Sequence, residues 1–331
     1  MASARREHVS SSLLARRASA VLGSYLLSVQ TGGRWLVPAN VCPVVPAVFA
    51  WCGREFEFVD IDPRSLCMDE VEVLRRLTAS PRDFSGVMFV RTYGHRGSFE
   101  PFFKAIRNLG RGHRIIDDRC LCNPGIAHSG GAADLELYST GYSKYVDLGG
   151  GGWGCFRDCP PSLPVAPAYE ESAHQELVSR FRLALRERQP FRYPDSPWLD
   201  FRPPNVSVNQ FFACVEAGQE DAAAHRRHLN EIYESQLGEW AVPEDLREWR
   251  FSILCDCQEA VLRAVFSTGH FASAHYASLV PMFGIGTGTL AQAHATRVVN
   301  LFNDFRYTAE RARDLAGIVR GVLATYVLRR G

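Results

Sequence analysis

The sequence predicts an α/β protein, with a large domain built on a mostly parallel sheet and a smaller C-terminal α+β domain. Short β-rich runs alternate with helical patterns in the first part of the chain, which is typical of a parallel sheet with strands buried on both faces. Beyond residue 158 longer helical patterns dominate. At 331 residues the chain is long enough for one large and one smaller domain.

The predicted large domain contains five short runs that are rich in β-branched and aromatic residues. These strands are expected at 36–38, 56–60, 86–90, 114–118 and 135–139. Apolar residues recur at helical spacing over 43–52, 69–78 and 99–109. In sheets of this kind ligands bind beyond the carboxyl ends of the strands. Asp118 and Ser139 each end a predicted strand, so we expect both to reach a ligand.

The C-terminal part begins after the Pro-rich loop at 159–164. Its helices are expected at 169–188, 207–237 and 308–328, and its strands at 250–254 and 296–301. We place the domain boundary at the start of the long helix. Residues 1–206 then form the large domain, and 207–331 form the long helix and the small domain.

Charge and hydropathy exclude two classes of partner. The formal net charge is +1, so no overall basic field indicates nucleic-acid binding. The longest nearly apolar stretch, 41–52, is too short to cross a bilayer and contains Pro43 and Pro46. We therefore expect neither a nucleic acid nor a membrane as a partner.

The ten cysteines indicate whether the protein has a metal site and in which compartment it resides. They include two C-x-C pairs but no C-x₂-C spacing of the kind that zinc sites use, so no metal site is predicted. Reduced thiols in a chain of this length indicate a cytoplasmic protein. The first 30 residues are rich in Arg and Ser, which leaves an organelle transit peptide as an alternative to a partly frayed N-terminal helix.

Lysine is rare in this chain. Of 37 basic residues only Lys104 and Lys144 are lysines, and the other 35 are arginines. An amine can lose its proton and form a Schiff base, whereas a guanidinium cannot. Lys104 lies in an amphipathic helical pattern and is expected on the surface. Lys144 lies five residues after the strand-end Ser139 and shortly before the glycine run 149–152.

These residue types are those that pyridoxal phosphate (PLP) chemistry needs. A lysine holds the cofactor aldehyde, a carboxylate keeps the pyridine nitrogen protonated, and hydroxyl and backbone N–H groups hold the phosphate. Lys144, Asp118 and Ser139 occur along the sequence in an order that would allow them to serve these three purposes. The spacing alone leaves other interpretations open, since an Asp-Asp pair also caps helices or binds metals, and Ser143-Lys144 also fits a hydrolase dyad.

Motifs along nearly the whole chain resemble those of the DegT/DnrJ/StrS aminotransferases, which are fold-type-I PLP enzymes. The matching segments occur in the family's order. They are 36–40, the FVDIDP stretch at 58–63, Tyr93-Gly94, 115–118, Asp134 with Ser139 and Lys144, Asn205, His275-Tyr276 and 298–301.

The resemblance implies specific roles. Lys144 would form the internal Schiff base and Asp118 would contact the pyridine nitrogen. Asn205 would reach the phosphate in the neighbouring subunit of a homodimer. The N-terminal phosphate loop of the family aligns with 16–19, so Arg17, Ala18 and Ser19 are candidate phosphate contacts.

Two positions depart from the family pattern. Cys42 stands where the family places the aromatic residue that stacks on the cofactor ring. Leu121 stands where the family has a glutamine near the cofactor hydroxyl. Loss of a stacked ring weakens binding by about 0.5–1.5 kcal/mol beyond the lost area.

Three functional hypotheses follow from these residues. The first is a PLP-dependent aminotransferase that moves an amino group from a donor to a small oxo substrate, such as a nucleotide-linked keto-sugar or a cyclitol. The second is a PLP enzyme of the same fold that carries out elimination, dehydration or another carbon-centred reaction. The third is a non-catalytic relative, suggested by Cys42 and Leu121.

Overall fold

The computed structural model describes residues 11–30, 32–165, 168–191, 193 and 196–328. The strands are β1 (Ser12–Ala15), β2 (Arg34–Pro38), β3 (Phe56–Val59), β4 (Phe84–Val90), β5 (Arg114–Asp118), β6 (Leu135–Ser139), β7 (Gly152–Phe156), β8 (Phe251–Leu254), β9 (Ala272–Ser273) and β10 (Val298–Leu301). The helices are α1 (Ala18–Ser28), α2 (Val44–Trp51), α3 (Glu70–Ala79), α4 (Glu100–Asn108), α5 (Glu171–Glu187), α6 (Val208–Leu237), α7 (Gln258–Ser267), α8 (Val280–Phe283), α9 (Thr289–Ala295) and α10 (Ala309–Leu328).

The larger sheet has seven strands in the order β1-β7-β6-β5-β4-β2-β3. Strands β2 to β6 are parallel to one another, whereas β7 pairs antiparallel with both β6 and β1. The five strands that the sequence predicts are the parallel ones, β2 to β6. The predicted mostly parallel α/β sheet is therefore confirmed.

Both faces of this sheet are buried, because successive side chains of a strand point to opposite faces. In β2, Trp35 and Val37 belong to one apolar cluster and Leu36 to another. In β5, Ile116 and Ile115 divide between the same two clusters. The continuous apolar runs in the sequence thus arise from strands that are covered on both sides.

The C-terminal part has a sheet of its own, with the antiparallel order β8-β10-β9. Its apolar side chains form a separate cluster with one face of α6 and with α10. Helix α6 begins at Val208 after Ser207, whose hydroxyl caps it by accepting from the Gln210 amide. The long helix predicted at 207–237 is confirmed, and the division at residue 206 stays a prediction.

Two predictions concern the N-terminal segment and membrane-spanning helices. Residues 1–10 of the predicted N-terminal helix lie outside the described residues. The described part of that segment forms the short strand β1 followed by α1. Among the residues that the structure describes, no helix is both long and apolar enough to span a membrane.

Candidate functional site

Asp118 and Lys144 line the same small cavity at the carboxyl end of the parallel strands. Asp118 is the last residue of β5 and is 7% exposed. Lys144 lies in the segment 140–151 that joins β6 to β7, which we call the lysine loop. Cys42 and Leu121 also line this cavity, so the structure brings both departures from the family pattern next to the predicted pair.

The two adjacent carboxylates of β5 have different surroundings, because neighbouring residues of a strand face opposite sides. Asp117 is fully buried and forms ion pairs with Arg91 at 2.9 Å and with Arg119 at 2.7 Å. Asp118 points into the cavity and accepts a hydrogen bond from the Cys120 amide at 2.9 Å. Only Asp118 is therefore available to a ligand there.

Burial controls the charge states in this cavity. It raises the pKa of Asp118, while the hydrogen bond from Cys120 and the nearby Lys144 ammonium act in the opposite direction. Burial also raises the pKa of the Cys42 thiol, so that side chain stays neutral. A cation placed beside Asp118 would stabilise its charged form.

The lysine loop is held by side chains from the C-terminal part of the chain. Ser143, next to Lys144, has a φ of 60°, a backbone conformation that is uncommon for residues other than glycine. The Trp249 indole donates to the Ser143 carbonyl at 2.7 Å, and Arg250 donates to the Ser143 hydroxyl at 2.8 Å. These bonds support the backbone of the residue that precedes the lysine.

Arg226 of α6 fixes the lysine itself. Its guanidinium donates to the carbonyls of Lys144 at 3.0 Å and Tyr145 at 3.1 Å, and to the carbonyl of Trp249 at 2.6 Å. Arg226 is buried. The backbone of Lys144 is thus tied to α6 by hydrogen bonds that leave its amine free to point into the cavity.

The candidate phosphate residues meet where α1 begins. No side chain caps the N-terminus of α1, so its first N–H groups are suited to an anion. A Cβ at Gly152 would lie 2.1 Å from the Ala18 nitrogen, so only glycine permits this approach. Ser139 lies beside Gly152 in the sheet, and its hydroxyl accepts a hydrogen bond from the Gly141 amide at 3.3 Å. Ser19 is half-buried in the first turn of the helix.

Arg17 and Asn205 are engaged within the chain. The Arg17 guanidinium lies 2.8 Å from Nε2 of His174 in α5. The exposed Asn205 accepts a hydrogen bond from Arg16 at 2.6 Å. Both residues therefore border the start of α1, and the structure does not bring either of them into the cavity of Lys144.

Neither a family model nor a curated protein matches the sequence, but solved structures do. A DegT/DnrJ/EryC1/StrS aminotransferase from Brucella abortus superposes with a TM-score of 0.67 at 16% identity, over 94% of this chain and 86% of that one. The aminotransferase TlmJ from Streptoalloteichus hindustanus gives 0.68 at 19% identity, over 96% and 87%. DesI, determined in the presence of its TDP-sugar product, gives 0.67 at 18% identity, over 96% and 83%.

The chain has the fold of these aminotransferases. This likeness covers nearly the whole chain and confirms the predicted fold class, a PLP-dependent aminotransferase fold of type I. At identities below 20% it establishes the architecture, and the chemistry must come from the residues of this chain.

The sequence assigned no role to three further residues in or near this cavity. Asn40 lines the cavity, and its side-chain oxygen is buried without a hydrogen-bond partner in the described structure. Tyr276 lines it too, although the sequence marked this residue only as a family landmark. Arg226 sits in an ordinary helical pattern, so no sequence signal distinguishes it from the other arginines.

Metal binding has no support in the described part of the chain, where no group of three or more His, Cys, Asp or Glu side chains could hold an ion. The donor set of the cavity instead fits PLP. It offers an amine for the aldehyde, a buried carboxylate for the pyridine nitrogen and the unpartnered amide oxygen of Asn40 for a polar ring substituent. The uncapped end of α1 fits a phosphate.

Proposed function

We propose that this protein is a PLP-dependent aminotransferase that transfers an amino group from a donor to a small oxo substrate. The observation that carries the proposal is the position of Lys144 and Asp118 in one cavity of an aminotransferase fold. A nucleotide-linked keto-sugar or a cyclitol is the substrate class that we favour. The TDP-sugar product of the similar DesI supports the first of these.

Each residue has a role that follows from its chemistry. The cofactor, when bound, supplies a ring that accepts the electron pair released at the substrate carbon. Asp118 keeps the ring nitrogen protonated, because burial makes its charge costly without a cation beside it. The Lys144 amine would hold the cofactor aldehyde until the amino donor displaces it, and the released amine would then carry a proton to or from the substrate carbon. Ser139, Arg17, Ala18 and Ser19 hold the phosphate.

The lysine loop orients the Lys144 amine. Proton transfer requires the amine within hydrogen-bond reach of the reacting carbon, and small displacements are costly. Arg226 and Trp249 fix the backbone of Lys144 and Ser143. The four-carbon side chain of Lys144 can then move between the aldehyde and the substrate while its attachment point stays in place.

We further propose a cytoplasmic homodimer in which a second copy covers the lysine loop. Three large apolar side chains are exposed on or beside this loop, namely Tyr142, Leu148 and Phe305. Apolar side chains that cluster in this way mark interaction sites. Asn205 is also exposed, as a residue that reaches the neighbouring phosphate site must be. The cytoplasmic location is supported by the cysteine usage alone.

The decisive experiment is an absorption spectrum of the purified protein before and after borohydride reduction. We expect a Schiff-base band in the wild type that reduction removes, and no such band in Lys144→Ala. Lys104→Ala is a matched control, because Lys104 is the other lysine of the chain and lies on the surface of α4. Peptide mapping should place the reduced cofactor on Lys144. Identical spectra for wild type and Lys144→Ala would refute the assignment.

The reaction type is tested separately. Incubation of the wild type with glutamate or another amine donor should convert the bound cofactor to pyridoxamine phosphate. Failure with every donor, in a protein that binds PLP at Lys144, would favour elimination or another carbon-centred reaction. A protein that takes up no PLP would favour the non-catalytic alternative.

A further inference from the structure

The cavity of Lys144 and Asp118 has an unusual set of lining side chains. At position 42, where the resemblance to the DegT/DnrJ/StrS aminotransferases implies an aromatic ring, this chain has a thiol, and position 121 is a leucine. Among the described residues that line the cavity, Tyr276 is the one aromatic side chain. It comes from the segment between β9 and α8, far from Cys42 in the sequence.

The Tyr276 ring belongs to a group of aromatic rings that pack on one another. Tyr93 lies nearly parallel to Trp249, with centroids 6.3 Å apart and 10° between the planes. Trp249 lies nearly parallel to Tyr276 at 6.1 Å and 16°. His275 also stacks on Tyr276 at 4.9 Å and 21°. Packing on these rings restricts the orientation of Tyr276.

The stack is connected to the lysine loop. Trp249 packs against Tyr276 and donates a hydrogen bond to the carbonyl of Ser143. One indole thus fixes both the residue before Lys144 and the ring that faces the cavity.

The surroundings of Tyr276 also suit a planar cationic ring. Burial raises the pKa of its phenol, Cys42 and Asp118 act in the same direction and the Arg250 guanidinium in the opposite one, and the net effect keeps the side chain neutral. A neutral phenol presents an electron-rich face, which attracts cations and pairs with other rings in offset stacks. A protonated pyridine ring held by Asp118 is both a cation and an aromatic ring.

We propose that Tyr276 supplies the aromatic face for the cofactor ring that position 42 lacks. The inference rests on the proposed PLP function and extends it by naming a binding residue from the C-terminal part of the chain. The aromatic contact would then come from the loop before α8, in the same cavity as the pair Lys144 and Asp118.

The test compares Tyr276→Ala with Tyr276→Phe. Each protein is stripped of cofactor and titrated with PLP, and the dissociation constant is read from the absorption change. We expect Tyr276→Phe to bind as the wild type does and Tyr276→Ala to bind about tenfold more weakly, since it loses a ring contact and its area. Phe271→Ala, at an exposed aromatic residue just before β9, is the control and should bind normally.

Several results would overturn the inference. Equal or tighter PLP binding by Tyr276→Ala would show that the ring only occupies the space. Equally weak binding by both variants would assign the effect to the hydroxyl group. Thermal unfolding of Tyr276→Ala shows whether weaker binding comes from a damaged fold. If the wild type binds PLP at Lys144 and Tyr276→Ala is unaffected, this inference fails and the proposed function stands; if the wild type binds no PLP, both fail.

Discussion

At the scale of single residues, the pair Asp117-Asp118 shows how strand geometry separates two identical side chains. The sequence places both at the end of a strand and leaves open a helix cap or a metal site. Alternation along β5 turns Asp117 towards Arg91 and Arg119, and Asp118 towards the cavity. One carboxylate therefore stabilises the fold, and we assign the other to the cofactor.

This contrast predicts different results for the same substitution at neighbouring positions. Asp118→Asn should lower turnover by about 10²–10³-fold, because a preorganised charge opposite the cofactor ring is lost, and should leave stability nearly unchanged. Asp117→Asn should lower the free energy of unfolding by about 3 kcal/mol, because it breaks a buried ion pair. Denaturant titration and steady-state kinetics with an amine donor measure the two effects. Similar losses of stability in both variants would contradict the division of roles.

At the scale of elements, the lysine loop depends on contacts that no local pattern encodes. Arg226 in α6 and Trp249 before β8 both bond to its backbone, although they lie about 80 and 100 residues further along the chain. Arg226 is buried, while its neighbour Arg227 is exposed. Two adjacent arginines of one helix thus provide a matched comparison.

We predict that Arg226→Lys impairs both stability and catalysis. An ammonium cannot reproduce the fork of donors that reaches three carbonyls, so some acceptors stay unpaired, at a cost of about 2–4 kcal/mol. Displacement of Lys144 should also lower turnover by about 10²-fold. Arg227→Lys should behave as the wild type in thermal unfolding and in turnover. If Arg226→Lys is stable but slow, the role is positioning; if it is neither unstable nor slow, the assignment is wrong.

In the larger sheet, the strands that sequence patterns missed are β1 and β7. The glycine run 149–152 has no β-rich pattern, and β7 begins at its last residue, Gly152. Strand β1 has four residues in an Arg-rich segment that favoured a helix. Both strands owe their conformation to antiparallel pairing with each other and with β6, and such long-range pairing leaves little local signal. The parallel strands were predicted because burial on both faces makes each run apolar.

At the scale of the whole molecule, the site draws on distant parts of the chain. The meeting of Lys144 and Asp118 could be predicted because Asp118 ends a strand, Lys144 follows the next one, and lysine is so rare in this chain. Tyr276 and Arg226 could not be assigned, since their contacts with the cavity and the lysine loop exist only after the C-terminal part has packed against the large sheet. The order of the motifs along the sequence predicted the fold. The contacts between residues from different motifs could be identified only from the structure.

The last prediction concerns assembly. If a second copy covers the lysine loop, charges placed on its exposed apolar residues should disrupt the dimer, because a buried unpaired charge is costly. Tyr142 is 74% and Leu148 41% exposed, and the double variant Tyr142→Glu with Leu148→Glu should shift the wild-type dimer to a monomer in light scattering. Val71→Glu, at a residue 77% exposed on α3, is the control and should stay dimeric. If Asn205 of the neighbouring copy contributes to the phosphate site, the monomer should also bind PLP more weakly. A wild type that is monomeric at all concentrations, or a double variant that remains dimeric, would exclude this surface as the interface.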